Sequence, residues 1–147
     1  MPRSSYFKNP YLRLVLLAVF VIYGLIMIKL LFLRGASYQW KVYDYNLVPF
    51  RTIKRYIMHK DRFNFDTWFK NLFGNIVLFI PLGVFPPLLR EKFFRFKPFI
   101  LLVVSILLAV ELVQLFTRVG SFDVDDLILN LFGALIGFLL VKFCTKH

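Results

Sequence analysis

The stretch FILLVVSILLAVELVQLFTR, Phe99 to Arg118, decides the fold. As a helix rising ~1.5 Å per residue it would cover ~30 Å, the hydrocarbon thickness of a bilayer. The residues before Glu111 offer a carboxylate nothing to pair with. Glu111 nevertheless appears about two turns before the end, followed by Gln114 and Arg118. Positions i, i+3 and i+7 share a helix face, so these three form a polar stripe at one end of an apolar span.

Working outward, comparable apolar runs occupy Leu12–Leu33, Leu72–Leu89 and Leu127–Phe143. The first is interrupted only by Arg13 and Lys29, which can extend to headgroups from near the run's ends. It is too long for a cleaved signal peptide and reads as a retained span. The expected architecture is an all-α integral membrane protein of about four transmembrane helices, a single domain over residues 1–147. Composition agrees: the chain is 59% hydrophobic with 19 phenylalanines, more apolar surface than a soluble domain of this size could bury.

Lys and Arg number 19 against 8 acids, for a formal charge of +11. The basic residues flank apolar runs, which points to anionic lipid headgroups as partners and not to nucleic acid. The lone Cys144 cannot form an internal disulfide. No zinc-type Cys/His set, GxSxG elbow or P-loop occurs.

Residues 34–71 form the only long connection and are rich in interface residues: Tyr38, Trp40, Tyr43, Tyr45, Tyr56 and Trp68. From Phe50 onward the pattern predicts an amphipathic helix, with Phe50, Ile53 and Ile57 on one side and Arg51, Lys54 and Arg55 elsewhere. This segment either lies on the bilayer or packs as a cap on the helix ends. Topology is poorly discriminated by charge. The termini (Arg3, Lys8, Arg13, Lys142, Lys146) and the turn carrying Arg90, Lys92, Arg95 and Lys97 hold as many basic residues as the opposite side. The density of the short turn and the position of most acids favour cytoplasmic termini.

The last span carries a second stripe. Asp123, Asp126, Asn130, Gly133 and Gly137 share one face, polar at the start and small below. The short turn before it makes spans three and four antiparallel neighbours, with both polar ends on one surface. The second span adds Asn71, Gly74, Asn75 and Pro81, and the connection adds Asn46 and Arg51. Pro81 leaves a carbonyl about one turn earlier without its donor, so this part of the helix should face protein or a hydrated cavity, or simply kink.

Simpler readings stand beside these. Asp123 can cap a helix, with Asp125 and Asp126 in its first turn. Gly133 and Gly137 fit close helix packing. Asn75 and Asn130 can bridge helices, and Arg118 can anchor to headgroups. Glu111 is harder to account for: an unpaired carboxylate at that depth would cost several kcal/mol, so it needs an arginine, a cation or a proton. No organic cofactor is expected. Glu111, Asp123, Asp125 and Asp126 could hold a hard divalent cation through oxygen, but acids near arginines more often form salt-bridge networks.

Four stretches, in this order, resemble the VanZ-like membrane proteins: NLVPF (Asn46–Phe50), NLFGNIVLFIPLG (Asn71–Gly83), ELVQ (Glu111–Gln114) and FDVDDLILNLFGALIG (Phe122–Gly137). The turn Thr117–Ser121 departs from the family's placement of Gly and Arg close to the FD motif. The resemblance implies a multi-pass plasma-membrane protein, mainly of Gram-positive bacteria, and a link to glycopeptide or lipoglycopeptide (teicoplanin) sensitivity. It supplies no mechanism.

Three functions remain open. The first is a non-catalytic module whose outer-leaflet polar pocket binds a lipid-linked anionic ligand, such as a cell-wall precursor or a lipoglycopeptide. Asn46, Arg51, Asn71, Asn75, Glu111, Gln114, Arg118, Asp123, Asp126 and Asn130 would contribute to it. The second is a membrane-embedded enzyme acting on such a lipid. Glu111 would be its acid or base, and Asp123 or Asp126 would hold a metal or orient water. The third is a small carrier using Glu111.

Overall fold

The computed structural model describes residues 9–33 and 43–145. Tyr38, Trp40 and the terminal basic residues Arg3, Lys8 and Lys146, used above, lie outside the described residues.

Helix α1, Pro10–Ile28, starts with a proline at its first position and Asn9 as its cap. The Asn9 carboxamide oxygen accepts from the amides of Tyr11 (3.0 Å) and Leu12 (3.2 Å). A wider helical turn, Lys29–Leu33, extends it. Helix α2 is the short Arg51–Met58. Helix α3, Phe65–Phe69, runs through a wide turn at Lys70–Gly74 into α4, Asn75–Leu89. Helices α5, Phe96–Thr117, and α6, Val124–Cys144, complete the chain. Among the described residues, four helices are long and apolar enough to cross a membrane: Pro10–Phe32, Phe65–Leu89, Phe96–Thr117 and Val124–Cys144.

The second span begins earlier than the apolar pattern predicts, at Phe65 and not Leu72. Asn64 caps it by accepting from the Thr67 amide (2.7 Å). The polar first turns persist because Asp66 and Lys70, one turn apart, form an ion pair on the exposed side.

Helices α4 and α6 run parallel along a seam in which backbones nearly touch. A methyl group added at Gly83 would lie 1.9 Å from the Ala134 carbonyl oxygen. One at Gly133 would lie 2.1 Å from the Ile76 carbonyl oxygen, and one at Gly137 2.1 Å from that of Ile80. Hydrocarbon supplies little drive for helix association, so such close packing is how membrane helices hold each other. Helix α5 lies antiparallel to α6, with Phe99 and Phe138 stacked at 4.3 Å. Helix α1 lies antiparallel to α4 through Phe20 against Phe85 (5.2 Å) and Tyr23 against Leu78.

The core between them is Met27, Phe79, Leu82, Phe99, Val103, Leu107, Ala134 and Phe138. Pro81 cannot donate to the Val77 carbonyl; the next carbonyl, Leu78, receives the Tyr23 hydroxyl (2.8 Å). The turn before Pro81 thus meets protein at Leu78, while Val77 lies on the exposed side.

One feature carries no sequence signal. Strand β1, Tyr45–Asn46, pairs in parallel with β2, Phe122–Asp123, in the register Tyr45↔Phe122 and Asn46↔Asp123. Helix α2 forms where its amphipathic pattern predicts. Ile53 is half-buried, while Phe50 and Ile57 stand 60% and 63% exposed. It packs as a cap on the start of α6, through its N-terminus.

Candidate functional site: the polar end of the bundle

Helices α1 and α5 finish, and α4 and α6 begin, at the same end of the bundle. There Asn46, Asn75, Glu111, Asp123 and Asp126 come together. Asp123 caps α6 by accepting from the Asp125 amide (2.9 Å). The same Asp123 accepts from the Asn46 carboxamide (3.0 Å) and the Thr52 hydroxyl (2.6 Å). Glu111 is 3% exposed and accepts from the Asp123 backbone amide (3.2 Å). Asp126 accepts from the Asn75 carboxamide (2.7 Å).

Asp125, placed by the sequence only in the first turn of a helix or among cation ligands, is the most constrained member. It has no exposed surface. One oxygen accepts from the Phe50 amide, and the other from the amides of Thr52 (2.6 Å) and Ile53 (3.0 Å). These are donors that the start of a helix leaves unused, so the carboxylate of one helix caps another. Phe50 holds a left-handed backbone (φ 64°), which costs a non-glycine residue ~1 kcal/mol or more. The bond from its amide to Asp125 offsets that. The one signal available was a helix start at residues 50–53 without a side-chain cap of its own.

The remaining predicted residues divide. The Gln114 carboxamide donates to the Leu31 carbonyl (3.0 Å), tying the ends of α1 and α5 together. Arg118 closes α5 in a left-handed conformation (φ 57°), with its guanidinium over the Tyr43 ring at 4.6 Å. Arg51 is exposed on α2. Asn71 does not join the cluster: its carboxamide donates to the Thr67 carbonyl of its own helix (2.7 Å). Asn130, one turn below Asp126, is 4% exposed, and its side-chain oxygen has no partner.

Among the described residues, no ion pair joins the four acids to Arg51 or Arg118, so the expected salt-bridge network does not form. Neutral N–H and O–H donors serve the carboxylates instead. Among the described residues, no three acidic, histidine or cysteine side chains converge to hold a metal ion.

Four spans and one polar, carboxylate-rich end define a multi-pass membrane protein. The VanZ/LLP1 family model matches residues 15–145, and the chain belongs to that family. It is similar to Protein VanZ of Enterococcus faecium, 31% identical over 81 residues. That match covers 54% of this chain and 48% of the relative, so it spans about half the relative's length. No solved structure matches.

Proposed function

We propose that this protein is a non-catalytic module of a Gram-positive plasma membrane, with both termini cytoplasmic and its polar end in the outer leaflet. There it binds a lipid-linked anionic ligand, a cell-wall precursor or a lipoglycopeptide, and thereby alters sensitivity to teicoplanin. The observation carrying this reading is a division of labour at the polar end. All four acids accept hydrogen bonds from the protein itself, while Arg51 and Arg118 stand exposed. A guanidinium offers a planar fork of donors suited to phosphate or carboxylate.

The test compares bacteria with and without the protein for sensitivity to teicoplanin and to a lipid-free glycopeptide. The protein should change the first response and leave the second nearly unaltered, and replacing both arginines with glutamine should abolish the difference. Equal shifts for the two drugs would overturn the reading.

One observation favours a second reading, an enzyme using Glu111 and Asp126. The unpartnered Asn130 oxygen, buried one turn below Asp126, is a polar group that a substrate or water could meet. Full cellular activity in Glu111→Gln and Asp126→Asn variants would end that idea.

A further inference from the structure

Between α1, α4 and α5 lies an apolar groove of about 340 Å³, within the ~300–1,000 Å³ range of small-ligand sites. Phe20, Gly24, Met27 and Leu31 line one wall, and Ile106 and Val110 another. Its one polar lining group, the Tyr23 hydroxyl, is turned into a bond with the Leu78 carbonyl, leaving hydrocarbon contacts. A methyl added at Gly24 would meet nothing within 4 Å, unlike one at any seam glycine. The packing there is open by construction.

Position and charge indicate an occupant. The α1 wall runs from Phe20 to Phe32, ~18 Å at ~1.5 Å per residue, slightly more than half of a ~30 Å hydrocarbon core. It occupies the half of α1 nearer the polar end. Its mouth ends at Leu31 and Phe32, where the Gln114 carboxamide is fixed; one turn beyond Gln114, at the end of α5, Arg118 is exposed. One leaflet's depth of apolar groove, with an exposed guanidinium one turn past its mouth, matches one chain and the head of an anionic lipid.

We infer that this groove binds one acyl chain of an anionic phospholipid of the surrounding bilayer, with its phosphate at Arg118. This deepens the preceding reading and rests on it only for the leaflet concerned.

The test uses the full chain in phosphatidylcholine nanodiscs containing a phosphatidylglycerol with a diazirine in one chain. After irradiation, adducts should concentrate on groove residues such as Met27 and Val110, over the outward ridge at Leu25 and Ile26. Gly24→Phe should lower groove labelling about tenfold and spare the ridge. Val110→Phe, filling the opposite wall, serves as a second plug. Arg118→Gln should remove the preference for phosphatidylglycerol over a phosphatidylcholine probe.

Labelling no denser in the groove than on the ridge, or unchanged by both plugs, overturns the site. Equal labelling by both headgroups in the unaltered protein overturns the anionic head. Groove labelling that the plugs block, in a protein whose arginine variants leave teicoplanin sensitivity unaltered, supports the chain site and removes the functional reading.

Discussion

The α4–α6 seam and the packing of α1 solve one problem in opposite ways. Both are helix contacts in which lipid is as good an apolar solvent as protein. The seam brings backbones together at Gly83, Gly133 and Gly137, and no side chain larger than hydrogen fits there. Helix α1 also carries a glycine, Gly24, but leaves its space unused and joins the bundle through aromatic rings, one hydroxyl and its end. A glycine in a span therefore has no fixed meaning: at the seam it permits contact, and at α1 it preserves a gap.

Substitutions can break this comparison. The largest effect should come from Gly133→Leu. Its side chain would enter the Ile76 backbone and cost on the order of 3 kcal/mol or more, read as loss of folded protein in a detergent thermal melt. Gly24→Leu should stay within ~0.5 kcal/mol of the parent. Equal destabilisation of the two would end the contrast.

Asp125→Ala comes next. It leaves three amide donors of α2 without their acceptor, for about 2–3 kcal/mol. Proteolysis between residues 43 and 62 should accelerate while the four spans stay intact.

Tyr23→Phe removes the hydroxyl from the proline turn and should cost ~1 kcal/mol, typical of a polar bond between membrane helices. It sharpens the comparison by measuring how much of α1's attachment is polar. The smallest effect belongs to Lys70→Ala: the exposed pair with Asp66 should contribute ~0.3–0.5 kcal/mol, falling with added salt.

The spans were legible because ~20 apolar residues in a row have few other uses. The polar stripes were legible from 3.6-residue periodicity, which put Asp123 and Asp126 on one face and Glu111 at the end of its neighbour. Periodicity says where a residue points and not what it meets. Asn71 and Asn75 share a face, yet one bonds its own helix and the other reaches Asp126. The β1–β2 pair was invisible because two residues are too few to show a period of two. The early start of α3 was hidden by Asp66 and Lys70, which interrupt an apolar pattern without interrupting a helix. Asp125 looked like an ordinary first-turn acid, because its partners lie 72 to 75 residues away.

That separation has a consequence for biogenesis. The ribosome makes residues 50–53 long before Asp125, so α2 reaches the membrane surface with its first amides uncapped. The connection can take its final place only after α6 has begun to enter the bilayer. Fixing of the cap should thus be a late event in assembly, one that reports whether the last span has been inserted the right way round.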